Sequence, residues 1–463
     1  MLNRHLYSEL KIIMMNRKLL TTILPVLLLQ IELVYPQNGN GTQTLSYDQA
    51  ISAAVQNNPD LKIKELEYLI SVEKLNESKL SLIPEIHGRY DIQRNLIIPS
   101  TLVPVGKFNP ALPDDELAPI KFGTNWSSGL GLVASVKLLD PQVIGDIREK
   151  RASLSVDDIE RKISRIDIEI ETGRAYASCL ISYQQLRFAV DDTVNSYSEL
   201  TESESKYSEG YLKLTDLNQV ILNHRNTVSH YNEALKILKD SRETLYFLMG
   251  IEDLSGSDFV LADSLETLIS RFSIDADYTE IDESLTEARL DALRDVEKIR
   301  LGNVKAGFIP EISLSGLYGS DFYNNRLILG DDNYWFGNSS VNLSMRIPLT
   351  EGIGRTKKIT QQKYLIDVKG EELTAAMNQK ELEKDRAIQD IEFYRKEAGI
   401  KKSNLDLAEE NYEAAFSQFS EGRILQSELL QSELLLKQIK VDYLNAVYNY
   451  IDSLLNLRRI IES

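Results

Sequence analysis

Apolar and polar residues alternate in four stretches of the chain, at about residues 84–95, 126–139, 310–320 and 336–349. In the second stretch, leucines such as Leu130 alternate with small or polar residues. A period of two is typical of β strands with one apolar face. Strands of about 9–11 residues with this pattern suit a transmembrane barrel, although half-buried strands of soluble sheets share it. The pattern therefore predicts two pairs of strands.

Outside these stretches, the apolar residues follow the spacing of long helices. Isoleucines recur at heptad steps from Ile159 to Ile170, a spacing typical of coiled coils. The pattern predicts one helix over about residues 142–209 and another over about residues 355–421. At about 1.5 Å per residue each is roughly 100 Å long, so it must project as a rod. Shorter helices are predicted beside them, at about residues 60–82, 211–249, 280–306 and 424–461.

A sequence repeat divides the chain into two copies of one unit. Tyr207-Ser208-Glu209-Gly210 returns 212 positions later as Phe419-Ser420-Glu421-Gly422, and the match continues through the next helix. Glycine accepts the left-handed backbone that ends a helix, so each copy is predicted to turn there. The repeats span residues 37–250 and 279–463, each with a helix, two strands and a long helical hairpin. The acidic segment 251–278 is predicted to be an irregular equatorial linker.

Residues 1–36 have the features of a secretory signal peptide. Basic Arg17 and Lys18 precede an apolar run from Leu19 to Leu29, which is the order of segments in such signals. The run is too short to cross a bilayer as a helix, which needs about 20 residues. The pattern therefore predicts an exported protein.

Composition and charge exclude several classes of function. The formal net charge of −18 at pH 7 disfavours nucleic acid as a partner. The single cysteine, Cys179, excludes a disulfide framework, and the four histidines have no zinc-binding spacing. The sequence contains no nucleophile elbow, P-loop or HExxH motif. We therefore predict no catalytic, cofactor-binding or metal site, and a protein that is not an enzyme.

The duplicated order of elements resembles the TolC-type outer-membrane efflux family over essentially the whole mature chain. The resemblance is carried by Pro84 and Pro310 after the helices that precede strands, by Pro348-Leu349 at the end of the last strand, and by the two glycine turns. It implies a mainly α fold with a β-barrel. Three protomers would each give four strands to one transmembrane barrel of about 12 strands, a viable even number, continued by a long α-helical coiled-coil barrel. Four strands alone cannot close, and an open edge in lipid leaves backbone groups unsatisfied.

By this resemblance, the protein is the exit duct of a tripartite efflux or type I secretion system. Its barrel lies in the outer membrane, and its helices form a periplasmic tunnel that is gated at the turns. The implied partners are the other copies of a homotrimer, outer-membrane lipid, a periplasmic adaptor protein and, through the adaptor, an inner-membrane pump. The resemblance implies no cofactor.

Glu428 and Asp216 are the gate and selectivity residues that the resemblance implies. Glu428 lies six positions after Gly422, where the family has a carboxylate, and Asp216 is its counterpart in the first repeat. A ring of such carboxylates attracts cations. The family's second carboxylate falls at Gln431, and its tyrosine falls at Phe419. An expected arginine falls at Ile424. The alternative role for both carboxylates is helix N-terminal capping.

Two further sets of residues are candidates for binding. The residues at the glycine turns would dock the adaptor. We call them the first tip and the second tip: Ser208, Glu209 and Gly210, and Ser420, Glu421, Gly422 and Arg423. Aromatic residues at equivalent strand ends would form a girdle at the membrane interface. They are Trp126, Trp335, Tyr334 and Phe336.

Two other classes of protein fit parts of the pattern. A periplasmic adaptor also combines a coiled coil with β structure, but a single hairpin splits its lipoyl-like domain, whereas this chain has two hairpins. A coiled-coil scaffold, with the strands as small caps, would be soluble without detergent. Extraction behaviour therefore separates these alternatives from an integral channel.

Overall fold

The computed structural model describes residues 43–104, 113, 117–251, 259–274, 284–349 and 352–462. The predicted signal peptide, residues 1–36, lies outside the described residues, and so do parts of the predicted linker, residues 251–278.

Long α-helices account for most of the described residues. In chain order they are α1 (Tyr47–Asn57), α2 (Pro59–Leu80), α3 (Pro141–Ser208), α4 (Leu214–Leu248), α5 (Leu265–Ile274), α6 (Leu285–Ala306), α7 (Gly352–Ser420) and α8 (Gln426–Glu462). α3 has 68 residues and α7 has 69. α3 packs along α4 and α7 packs along α8, which gives a first hairpin and a second hairpin. α3 also contacts α8, so the two hairpins touch.

The first helices begin where the sequence supplies a side-chain cap. The Ser46 hydroxyl accepts from the backbone N–H of Gln49, and the Gln49 side chain accepts from the N–H of Ser46. Asn58 caps α2 and Asp140 caps α3, and each is followed by a proline. Proline suits the first helical position because the N–H that it lacks has no partner within the helix. These caps fix Asp140 as the point where the chain passes from sheet to long helix.

Four of the strands build a sheet that joins the two repeats. In chain order the strands are β1 (Gln43–Leu45), β2 (Glu85–Arg94), β3 (Ser100–Pro104), β4 (Leu117–Lys121), β5 (Trp126–Leu139), β6 (Phe259–Leu261), β7 (Glu311–Asn324) and β8 (Trp335–Arg346). β2, β5, β7 and β8 form an antiparallel sheet in that order. The first repeat contributes β2 and β5 and the second contributes β7 and β8, so β2 and β8 are the edges.

The loop between β2 and β5 contains a hairpin that the alternation pattern did not predict. β3 pairs antiparallel with β4, with Leu102 opposite Pro119 and Pro104 opposite Leu117. Proline argues against a central strand because it cannot donate to the ladder. A two-stranded ribbon accommodates it, since each strand has one free edge.

The chain turns at both glycines, and the two turns share one set of backbone hydrogen bonds. Gly210 has a φ of +82° and Gly422 a φ of +73°. In the first turn the N–H of Gly210 bonds a carbonyl three residues back at 3.0 Å, and the N–H of Tyr211 bonds the Lys206 carbonyl at 2.8 Å. The second turn repeats these bonds from Gly422 at 2.9 Å and from Arg423 at 2.8 Å. This pair of bonds defines the Schellman motif.

Asp263 anchors the described part of the linker to the first repeat. Its carboxylate accepts hydrogen bonds from the Tyr47 N–H at 2.8 Å and from the Tyr176 hydroxyl at 2.7 Å. Tyr176 is fully buried midway along α3. Burial, together with the Asp263 carboxylate, raises the pKa of Tyr176, so its hydroxyl remains a donor. The segment was expected to be irregular, but α5 lies within it.

Substitution of Gly422 by alanine is expected to lower the stability of the protein by about 1 kcal/mol, because alanine strains a left-handed backbone. Gly399→Ala is the matched control. Gly399 lies inside α7 with no atom within 4 Å of the added methyl group, and alanine there is expected to stabilise the helix by about 0.5–1 kcal/mol. Thermal unfolding of the two variants in detergent should therefore shift in opposite directions. Equal shifts would contradict the strain argument.

Candidate functional site

The two tips are exposed ends of the helical hairpins. All seven tip residues are exposed. In the second tip, the Arg423 guanidinium lies 2.7 Å from the Glu421 carboxylate, and both side chains remain largely in solvent. Because the Schellman turns expose the residues around each glycine, the tips offer backbone and side-chain groups to a partner protein.

Glu428 and Asp216 occupy equivalent positions just beyond the tips. Each is the third residue of its helix, α8 and α4 respectively. The residue before α4 is Lys213, which makes no side-chain cap, and Asp216 accepts only a bond from its neighbour Thr215 at 3.2 Å. Glu428 is exposed, whereas Asp216 is half-buried. Both carboxylates lie in a first turn, where the helix dipole favours negative charge, but neither is the N-cap residue.

Glu433 lies two residues after Gln431, the position of the second family carboxylate, and it is buried rather than exposed. It is 4% exposed. Its carboxylate accepts a hydrogen bond from the Asn223 side chain at 2.5 Å and lies 2.6 Å from the Lys437 ammonium. Gln431 is the exposed residue at the second position. Glu433 therefore belongs to the contact between the hairpins rather than to an exposed carboxylate ring.

Hydrogen bonds and ion pairs join the first hairpin to the second over several helical turns, and we call this contact the seam. Besides the Asn223–Glu433 bond, the Lys437 ammonium donates to the Thr227 hydroxyl at 2.8 Å. Further from the tips, the Lys440 ammonium lies 2.6 Å from Asp192. The two partners of each pair are 210 to 248 positions apart in sequence. The sequence pattern did not indicate them, because their pairing depends on the register of α3 and α4 against α8.

Lys206 makes the seam contact nearest the tips. Its ammonium donates a hydrogen bond to the backbone carbonyl of Phe419 and lies 3.9 Å from the centroid of the Phe419 ring. The Lys206 side chain is 16% exposed, so this contact is largely shielded from water. A tyrosine hydroxyl is expected at position 419 by resemblance. The phenylalanine lacks that hydroxyl, and a lysine bound to its carbonyl and ring joins the hairpins instead.

An apolar cluster supports this contact from within the second hairpin. Phe419 is 3% exposed and packs with the other members of the cluster. They are Leu405, Ala408, Tyr412, Leu429 and Leu436. Ile424, which stands where an arginine was expected, packs against this cluster. The apolar side chain therefore has a structural role here that a guanidinium could not fill.

The sheet has one apolar face and one polar face. Strand pairing and the alternation of side chains define the two faces. The apolar face includes Tyr90, Leu130, Leu132, Leu314, Tyr318, Val341, Leu343 and Met345. The polar face includes Glu85, Arg89, Asp91, Ser135, Ser315, Asp321, Asn338, Asn342 and Arg346. On the polar face Arg89 lies 2.5 Å from Asp91, and Asn338 donates to Asp321.

Three of the four predicted interface aromatics gather on one side of this sheet, at one of its ends. The ring of Phe322 lies 5.6 Å from that of Trp335 and 6.3 Å from that of Tyr334. Trp126 lies at the same end of β5, with the Arg94 guanidinium 5.4 Å from its ring centroid. Amphipathic aromatic rings at a strand end suit a membrane interface.

Phe336 lies at the same end of the sheet but on the opposite face from this group. It follows Trp335 directly in β8, and successive side chains of a strand point to opposite faces. Its ring lies 6.4 Å from that of Tyr323, which is on the polar face. Proximity in sequence to the tryptophan made the two look equivalent, whereas the period of two separates them.

Two kinds of feature are missing from the described part of the chain. Among its residues, no three His, Cys, Asp or Glu side chains gather in an arrangement that could hold a metal ion. None of the helices in the same residues is long and apolar enough to cross a membrane.

Comparison with solved structures shows the fold. No protein-family profile and no curated protein sequence matches the chain. The Campylobacter jejuni CmeC outer membrane channel matches with a TM-score of 0.69 at 15% identity, covering 93% of this chain and 90% of that one. The Vibrio cholerae outer membrane protein VceC matches with a TM-score of 0.66 at 12% identity, covering 90% and 95%. The open state of the Neisseria gonorrhoeae MtrE outer membrane channel matches with a TM-score of 0.64 at 14% identity, covering 90% and 88%. The chain thus has the fold of these channels, which confirms the predicted fold class of long helix pairs with antiparallel strands.

Proposed function

We propose that the chain is one protomer of an outer-membrane efflux channel, the exit duct of a tripartite efflux or type I secretion system. The observation that carries the proposal is the sheet of β2, β5, β7 and β8, with its apolar face and its polar face. Leu132, Val341 and Met345 are all more than half exposed in the single chain. A contiguous apolar surface of this kind needs a cover. Lipid on one face and water on the other satisfy the sheet, as in transmembrane barrels.

The open edges of the sheet support a trimer. β2 and β8 each have one unpaired side, and unpaired backbone groups in lipid cost several kcal/mol each. Neighbouring strands are antiparallel throughout the sheet, so β8 of one copy would lie antiparallel to β2 of the next. Three copies give a closed barrel of about 12 strands, within the range of known barrels. The same symmetry brings three first hairpins and three second hairpins around one axis.

The tips would be the contact with a periplasmic adaptor protein and, through it, with an inner-membrane pump. Their support is the exposure of both Schellman turns and their repetition with one backbone geometry. In this arrangement the barrel lies in the outer membrane and the hairpins lie in the periplasm. The chain supplies a passage, and the substrate would be selected by the pump.

Single-channel recording tests the proposal. Detergent-purified protein reconstituted in a planar bilayer should give steady, cation-selective openings. A protein that remains in solution without detergent and never conducts would overturn the proposal in favour of a soluble scaffold.

Glu428→Gln is expected to lower the cation-over-anion permeability ratio of the channel at least about fivefold, the factor that about 1 kcal/mol gives. A unit charge about 4 Å from a permeating ion contributes about 1 kcal/mol even in water, and a trimer would carry three such charges at the entrance. Block by multivalent cations should weaken for the same reason. Reversal potentials in a salt gradient measure the ratio.

The control for this substitution is Glu410→Gln, which removes an exposed carboxylate of α7 away from the second tip. It is expected to leave the permeability ratio unchanged. If both variants shift the ratio equally, or if neither does, Glu428 does not form a selectivity ring.

A further inference from the structure

A carboxyl group without a partner is buried at the seam. Glu199 lies on α3 between two and three helical turns before the first tip, and it is 0% exposed. None of the described residues donates a hydrogen bond to either of its carboxyl oxygens. The Glu433 carboxylate of α8 is the neighbouring charge that most raises the pKa of Glu199. The two hairpins therefore meet at a pair of buried carboxyl groups.

The Glu433 carboxylate already has its neutralising partner. Lys437 lies 2.6 Å from it, and the Asn223 amide donates to it at 2.5 Å. The next ammonium along α8, that of Lys440, is held by Asp192 at 2.6 Å. The ammonium groups of Lys437 and Lys440 are therefore already paired, and Glu199 has no ammonium partner on this part of α8.

Polar groups on α3, α4 and α7 also have interactions of their own. On α4, a ring nitrogen of His224 is bonded to the Ser196 hydroxyl at 2.9 Å. On α7, Tyr412 is buried, and burial with the nearby carboxylates raises the pKa of its hydroxyl. Towards the tip on α3, Lys206 lies 3.5 Å from Glu202 and donates to the Phe419 carbonyl.

An ionised carboxylate in this position would be costly, because it has lost its water and gained no hydrogen bond. A carboxyl group next to a second, charge-compensated carboxylate keeps its proton instead. Burial first, and then the Glu433 carboxylate, raise the pKa of Glu199 far above its ordinary value, and Lys437 opposes this only in part. A proton on Glu199 also lets this otherwise unpaired carboxyl group donate a hydrogen bond to Glu433.

We propose that Glu199 keeps a proton at neutral pH and donates a hydrogen bond through it to Glu433 across the seam, and that loss of this proton at alkaline pH separates α3 from α8 near the tips. When the hairpins are packed together, the buried Glu199 carboxyl group still holds its proton at neutral pH. The same group exposed to water would already have released it. The packing is therefore fully stabilised at acidic pH and weakens as the pH rises through the raised pKa. The predicted pH dependence of channel opening rests on the proposed function, whereas the protonation of Glu199 does not.

Infrared spectroscopy of the detergent-purified full chain tests the proton. Ordinary carboxyl groups, with pKa values of about 4, are ionised at pH 7, so a protonated-carboxyl band at that pH marks an unusual group. The wild type should show this band, which should disappear at alkaline pH. Glu199→Gln should lack it, and Glu204→Gln, which changes an exposed acid of the same helix, should retain it. A band that is absent from the wild type, or unchanged in Glu199→Gln, would overturn the proposal.

Recordings in bilayers test the consequence. Opening linked to the release of a single proton changes by up to about tenfold per pH unit, so openings of the wild type and Glu204→Gln should increase as the pH is raised above neutral. Glu199→Gln, which mimics the neutral acid, should lose this dependence. If all three conduct with the same pH dependence, Glu199 does not couple the hairpins. If none of them conducts, the proposed function fails, and the infrared band still decides whether the buried proton exists.

Discussion

Val341→Arg is expected to abolish insertion of the protein into membranes. Val341 is 81% exposed in the single chain and lies near the middle of β8, on the apolar face and opposite Gly316. An arginine near the midplane of the lipid face of a barrel costs about 2–4 kcal/mol, and a trimer would carry that cost three times. The measurement is the fraction of protein recovered as trimer from liposomes or from the outer membrane.

The neighbouring residue provides the matched control. Ser340 is adjacent in sequence and also exposed, but it lies on the polar face. Ser340→Arg adds the same side chain towards the water-filled side and should insert normally. Equal loss of insertion in the two variants, or normal insertion of both, would show that the faces do not separate lipid from water.

The two faces of the sheet could be predicted from sequence because alternation is a local property. Leu130 and Leu132 of β5 are two positions apart in sequence, and this spacing alone places both on the same face of the strand. The glycine turns are local in the same sense, because the left-handed backbone of Gly210 and Gly422 depends on the residue at that position. The sequence repeat at a constant offset then shows that the two hairpins are equivalent, and this can be seen without knowing how they pack.

The β3–β4 hairpin and Phe336 show where local patterns are insufficient. Pro104 and Pro119 are typical of loops, and only a ribbon with free edges accommodates both. For Phe336, its chemical type indicated an interface, while the phase of the strand placed it on the other face. Residue type and strand phase must therefore agree before a side chain is assigned to a surface.

The seam could not be predicted, because its contacts depend on the register of helices far apart in sequence. Glu199 is one of many glutamates on a long helix, and nothing near it in sequence indicates burial. Glu433 lies only two positions from Gln431 in sequence, but its carboxylate is bound by Asn223 and Lys437. A heptad pattern identifies the side of a helix that is packed, but it does not identify the residue that it packs against.

Lys206→Met is expected to raise the ratio of open to closed channel about tenfold or more. Methionine keeps the length and apolar character of the side chain but removes the donor to the Phe419 carbonyl and the cation over its ring. A hydrogen bond from a charged group contributes about 1.5–3 kcal/mol, and a cation–π contact contributes at least about 0.5–1 kcal/mol. Since about 1.4 kcal/mol corresponds to a factor of ten, the loss at one protomer alone reaches the expected ratio. Open probability in planar bilayers is the quantity to measure.

Lys213→Met separates this contact from a general effect of charge near the tips. Lys213 is exposed, precedes α4 and makes no side-chain cap, so its loss removes the same charge without loosening the seam. The control should therefore open like the wild type. If it opens as readily as Lys206→Met, the hairpins respond to net charge at the tips and Lys206 does not join them. If only Lys206→Met opens, a backbone carbonyl and an aromatic ring at position 419 perform the joining role that a tyrosine hydroxyl was expected to have.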